Sequence, residues 1–133
     1  PYWKTSNRYL FSGGSVNMRD AAVYAKEENW SKAVELWKQT YETKKGKQKM
    51  YAAYNTALGY EMQDSIDTAL EWALKAQTLA REKSKTDKKE TGEIHDGTIS
   101  YYIFISMYVD ELEKRKEGMA RLNMQMNRFD DDF

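Results

Sequence analysis

The chain has 133 residues, and its 21 Lys and Arg balance 21 Asp and Glu, so there is no cationic surplus to condense on phosphates or on an anionic membrane surface. The absence of cysteine excludes a disulfide framework, thiolate catalysis and Cys-ligated metal centres, and leaves the compartment undecided. With one proline, at position 1, and four Trp and ten Tyr in an otherwise polar chain, the composition favours helices whose core is held by few, large side chains.

Residues 1–14 are aromatic-rich, and Tyr2, Trp3, Tyr9, Leu10 and Phe11 follow no helical period. They either pack across the first helix pair or end a strand of an upstream region. The Pro1 start in place of Met reads as a piece of a longer protein.

From Val16 to Glu28, Met18, Ala21, Ala22 and Ala25 recur at helical spacing after the Gly13, Gly14, Ser15 loop, with Ser15 placed to cap. Trp30, Ala33, Val34, Trp37 and Tyr41 give the cleanest stripe, with Ser31 as its expected cap and Lys44, Lys45 and Gly46 as its stop. A third helix, Lys47 to Met62, carries Met50, Ala53, Tyr54, Ala57 and Leu58. A fourth, capped by Asp64 or Ser65, carries Ile66, Ala69, Leu70, Ala73, Ala76 and Ala80.

Residues 81–97 hold a single aliphatic, Ile94, and read as a polar linker that begins as a solvated helix extension and continues as a loop. The last helix, 98–127, begins almost wholly apolar with Tyr101, Phe104, Ile105, Tyr108 and Leu112 on its main stripe. After Leu112 it turns charge-rich, with Met119, Leu122 and Met126 on a thinner apolar edge, before an acidic tail at 128–133. Its apolar start has to be covered by other helices, which makes it a cap for the open end of the preceding pairs.

An offset of 36 residues aligns Ala21 with Ala57, Tyr24 with Tyr60, Ala33 with Ala69 and Glu35 with Glu71, so residues 15–45 and 46–80 read as two copies of one helical hairpin. The small residue and Tyr before the turn, the small residue early in the next helix and the aromatic Trp37 one turn on resemble tetratricopeptide repeats. The repeats are degenerate: the family's usual Gly is Ala21 and Ala57, its closing Pro is absent, and the period is two residues long.

Taken in order, Arg8, Tyr9, Ser12, Gly13, Met18, Ala21, Trp30, Ala33, Trp37, Ala52, Asn55, Ala57, Glu61, Ala69, Trp72, Tyr108, Leu112, Arg115, Leu122 and Gln125 resemble the C-terminal part of an uncharacterised family of bacterial cell-envelope lipoproteins with tetratricopeptide-like repeats. That resemblance implies an envelope location, a lipid anchor and an upstream region in the full-length protein. It carries no activity.

Catalysis finds little support. His95 is the only histidine and lies in the polar linker, the carboxylates of Asp130, Asp131 and Asp132 form one terminal run, and Glu27, Glu28 and Glu61 have no defined cleft. No catalytic residue, metal ligand or cofactor is assigned. The tetratricopeptide resemblance places a ligand groove at Met18, Ala22 and Lys26 in the first copy, and at Tyr51, Tyr54, Leu58, Glu61 and Met62 in the second. Core packing competes for the same residues, and Asn55, amid apolar neighbours, either satisfies a backbone carbonyl, the favoured role, or contacts a ligand.

The expectation is an all-α chain of two tetratricopeptide-like hairpins and a capping helix, acting as a non-enzymatic protein-interaction or scaffold module with a protein or peptide partner. A glycan-binding component of an uptake system is the alternative, needing an exposed Trp among Trp3, Trp30, Trp37 and Trp72; a helical enzyme ranks third. Nucleic acid is not an expected partner, and no segment is apolar enough to span a membrane. Ala33→Leu or Ala69→Leu overpacks the helix crossing and costs on the order of 1–3 kcal/mol, measured as a lower midpoint in thermal melts.

Overall fold

The computed structural model of the chain describes residues 2–4, 8–91 and 100–131. Two short strands, β1 (Tyr2–Lys4) and β2 (Tyr9–Phe11), pair antiparallel with Trp3 opposite Leu10. Five helices follow: α1 (Val16–Lys26), α2 (Trp30–Thr43), α3 (Gly46–Met62), α4 (Ile66–Thr91) and α5 (Tyr101–Asp131). The fold is all-α, with each helix packed on its neighbour in sequence.

The turns explain why the helices fold back in register. Glu28 and Asp64, 36 residues apart, both adopt a left-handed backbone with φ 61°. In each turn the next amide reaches back five residues, Asn29 N–H to the Tyr24 carbonyl at 2.8 Å and Ser65 N–H to the Tyr60 carbonyl at 2.9 Å. These bonds close the helix ends in the same Schellman geometry, so the internal repeat read from side chains is present in the backbone.

Capping differs from expectation at α2. Asn29, not Ser31, receives the Lys32 amide at 3.3 Å, because the turn places Asn29 immediately before the first helical residue. Ser31 sits inside the first turn, and its hydroxyl lies 3.3 Å from Gln63 Oε1 across the turns. Ser15 caps α1 as read, accepting from the Met18 amide at 3.4 Å.

Helix α3 is the centre of the molecule. One face joins Leu10, Met18, Ala21, Ala33, Val34 and Trp37 through Ala52 and Leu58; the other joins Ala69, Ala73, Ala76, Ile105, Tyr108 and Leu112 through Met50, Ala53, Tyr54 and Ala57. Its ten buried residues therefore encircle it. Buried Thr56 and Thr40 satisfy their hydroxyls within their own helices, on the Ala52 and Leu36 carbonyls.

Ala33 and Ala69 are both fully buried at the crossings. Helix α4 runs on through Thr91, so the first eleven residues of the expected linker 81–97 are helical; the rest, with His95, lies outside the described residues. Helix α5 lies over α3 and α4 and continues to Asp131, so Asp130 and Asp131 of the expected tail extend a helix; Asp132 lies outside the described residues. No helix among the described residues is long and apolar enough to cross a membrane.

Helix α3 approaches α2 tightly at Gly59, where a Cβ would stand 2.3 Å from Val34 Cγ2 and 3.3 Å from the Trp37 ring. Val34 is β-branched and cannot swing aside, so Gly59→Ala destabilises by about 2 kcal/mol. Gly118→Ala, with open space around its Cβ, instead gains up to about 1 kcal/mol from helix propensity. Chemical denaturation of the two variants should separate them by sign.

Candidate functional site

Of the residues assigned to a groove, Met18 and Leu58 join one core cluster and Tyr54 the other, with Tyr51 packed against both, and they do not line an open surface. Met18, Tyr54, Leu58 and Glu61 are buried, Tyr51 is half-buried and Lys26 is exposed at the end of α1. Strand β2 occupies the space. Asn55 holds it as a neighbouring strand would: the Phe11 amide donates to Asn55 Oδ1 at 3.0 Å, and Asn55 Nδ2 donates to the Phe11 carbonyl at 2.6 Å. Tyr54 adds a bond from its hydroxyl to the Tyr9 carbonyl at 2.5 Å. The Phe11 ring stacks on Tyr51 at 4.1 Å and meets Tyr54 edge-on at 5.3 Å, while Leu10 is fully buried with Met18 and Leu58.

At the end of α3, Glu61 is only 4% exposed and carries a charge that burial penalises. Arg8 grips it with a fork, Nε to Oε1 at 3.2 Å and one terminal nitrogen to Oε2 at 3.1 Å. From α5, the Tyr108 hydroxyl donates to Oε1 at 2.9 Å and Arg115 donates to Oε2 at 2.5 Å. Arg8 also pairs with Glu111. Burial pushes the Glu61 carboxyl up, but the bonds and charge of Arg8, followed by Tyr108 and Arg115, outweigh it and hold it below its ordinary value. Burial drives the Tyr54 and Tyr108 phenols well above theirs, so both remain donors at neutral pH. With every oxygen of Glu61 engaged, this cluster is an internal tie between the N-terminal hairpin, α3 and α5.

The exposed chemistry is on another face, where α2, α3 and α4 meet. Tyr41 and Trp72 lie edge to face with centroids 4.9 Å apart, and both are half-buried. Lys75 Nζ is 4.1 Å from the Trp72 centroid, Lys49 Nζ 4.7 Å from Tyr41, and Lys38 Nζ 5.0 Å from Tyr60 and 5.7 Å from Trp72. None of these three ammonium groups makes an ion pair among the described residues. Three cations over three rings form a preformed anion-attracting platform. Sequence reading missed it, although the signal was present: residues 38–49 contain five Lys and one Glu, hidden by the neutral total.

The tryptophans divide accordingly. Trp37 is fully buried, with no partner for its indole N–H among the described residues, whereas Trp30 and Trp72 are half-buried.

The family model of the domain of unknown function DUF6340 matches residues 19–114. The chain belongs to this family. In DUF6340 terms the matched span runs from α1 through the buried half of α5, and so contains Glu61, Tyr108 and the whole lysine–aromatic platform but neither Arg8 nor the end of α5. No curated protein and no solved structure matches the chain.

Because its folded carboxyl lies below the ordinary value of about 4.5, Glu61 contributes stability that is complete above that value and is lost as pH falls through the folded one. Glu61→Gln removes the counter-charge that Arg8 and Arg115 share, while Arg8 keeps its pair with Glu111, and costs about 2–3 kcal/mol near neutrality, tempered because Arg115 is 42% exposed. Urea melts across pH should show the gap to wild type closing below about pH 4.

Proposed function

We propose that the chain is a non-enzymatic, tetratricopeptide-like protein-interaction module of an envelope-anchored lipoprotein, and that it holds an acidic segment of a partner protein on the Tyr41–Trp72 platform. The observation that carries this reading is the set of three lysine ammonium groups, Lys38, Lys49 and Lys75, standing over half-buried rings without ion-pair partners among the described residues. Support for the repeat character comes from the equivalent turns at Glu28 and Asp64 and from the fully buried pair Ala33 and Ala69. The inner groove is occupied by the chain's own β2, which moves a partner to the outer face.

A platform of this kind has three uses for a partner. The rings offer flat apolar area, the ammonium groups attract carboxylates, and the helices hold both in place, so little side-chain freedom is lost on binding. The envelope location and lipid anchor follow from the family resemblance and belong to the proposal.

A second reading, an acidic glycan on the same platform, is favoured by Trp72, whose half-exposed face could stack on a sugar ring between lysines. Calorimetric titration with a glutamate-rich peptide and with an oligouronide separates the two. The protein reading expects the peptide to bind and Lys38→Glu with Lys75→Glu to abolish binding without lowering the melting temperature. Oligouronide binding alone would transfer the platform to the glycan reading, and binding of neither would sink both.

A further inference from the structure

One apolar stripe runs the length of α5 with alternating spacings of three and four: Ile105, Tyr108, Leu112, Arg115, Met119, Leu122, Met126 and Phe129. Its first half is core, with Ile105 and Leu112 fully buried, and Arg115 on the same line turns in to Glu61. The body ends at Lys116, which pairs with Asp67 in the first turn of α4 at 3.1 Å. Beyond that point, among the described residues, α5 overhangs for about 15 residues, or roughly 22 Å at 1.5 Å per residue. There the same stripe is solvent-exposed, Met119 by 45%, Leu122 by 54%, Met126 by 56% and Phe129 by 62%.

A lone helical segment of that length is marginal in water, and an exposed seam of four large apolar side chains at a 3.5-residue period is the pattern of a coiled coil. Asp130 and Asp131 also stand unfavourably at the negative C-terminal pole of α5, with Arg128 as the one basic residue of its last turn. Both features find compensation in one arrangement.

We infer that the overhang of α5 pairs antiparallel with the overhang of a second copy of this chain. With the two-fold axis near residue 124, Met119 meets the partner's Phe129 and Leu122 meets the partner's Met126, giving four apolar layers in which the same contacts occur twice. Lys116 and Asp130 flank the seam on the same side, two heptads apart, so the antiparallel register sets Lys116 against the partner's Asp130 at both ends. A parallel register sets Asp130 beside the partner's Gln125 instead. Lys116 exchanges cheaply, because its pair with Asp67 joins two exposed side chains. A cleft of about 450 Å³ between the turn around Ile66 and the root of the overhang at Met119 and Asn123 gives the partner's helix end room to seat. The acidic Asp64 and Asp67 line that cleft too, which leaves Lys116 as its one cation among the lining residues.

Sedimentation equilibrium of the chain over a wide concentration range tests the pairing. The mass should rise with concentration from one chain to two. Leu122→Asp and, separately, Met126→Asp should each hold it at one chain with an unchanged melting temperature at low concentration, both side chains being exposed in the monomer. Lys116→Glu and Asp130→Lys should each weaken the dimer about tenfold, and the two together should restore it. Asp67→Asn, which frees Lys116 from its own chain, should leave the dimer intact or tighten it. A mass of one chain at every concentration, the result if an upstream segment or another protein covers the seam, overturns the inference. So does a dimer that survives Leu122→Asp and Met126→Asp, or one indifferent to both charge reversals.

Discussion

The carboxylate of Glu61 imposes a constraint on which the rest of the arrangement depends. It stands near the end of a helix that is buried on every side, where an unpaired charge costs several kcal/mol. Its partners come from opposite ends of the chain: Arg8 from the residue before β2, and Tyr108 and Arg115 from α5. Tyr108 and Arg115 are seven residues apart, two turns on one helical line, so both reach Glu61 only if α5 has one rotation and one axial position. A buried ion pair is weak as a source of net stability, but here it fixes register. That matters because the apolar interface itself is smooth, its α4 side being Ala69, Ala73, Ala76 and Ala80, and a stripe of alanines does little to forbid sliding.

The same logic explains why the inner surface is closed. Strand β2 brings backbone groups that need partners, and α3 supplies them from side chains, with Asn55 acting as a substitute strand and Tyr54 taking the Tyr9 carbonyl. Removing β2 would strand the Asn55 amide and Tyr54 hydroxyl and expose Met18 and Leu58 together. The interior of the hairpin pair is thus committed to cohesion, and chemistry with free valence is left to outer faces. Zero net charge conceals this division, with lysines gathered around the end of α2 and start of α3 and carboxylates gathered at the end of α5.

Much of the fold was legible because it rests on period and on turns. The stripe of α2, the equivalent alanines Ala33 and Ala69, and the capping by Ser15 all follow from local spacing. The second face of α3 was not legible. It is made of Ala52, Thr56 and Gly59, small residues that no hydrophobic period marks, although their smallness is what lets α2 approach. The helix through residues 81–91 was legible as a solvated extension of α4 from its run of Lys and Glu, but with no apolar stripe its end could not be placed. As for the site, Glu61, Tyr51 and Tyr54 were singled out, but the partner that fills their groove could not be. Arg8 lies 53 residues from Glu61 in a segment without period, and nothing local announces that a strand will lie down on a helix.

The lysine–aromatic platform depends on that buried order. Lys38, Lys49 and Lys75 come from three different helices, and their spacing over Tyr41, Tyr60 and Trp72 holds only while α2, α3 and α4 keep their mutual rotation. Gly59 sets the distance from α2 to α3, and Ala69 and Ala73 set that from α3 to α4. The ammonium groups stand over the ring faces, so the charges are held in place by the rings. An anionic ligand then meets cations already in place, and the cost of ordering them has been met during folding rather than at binding. For that reason a loss of packing at Gly59, far from any ligand, should act on the platform's affinity as well as on stability.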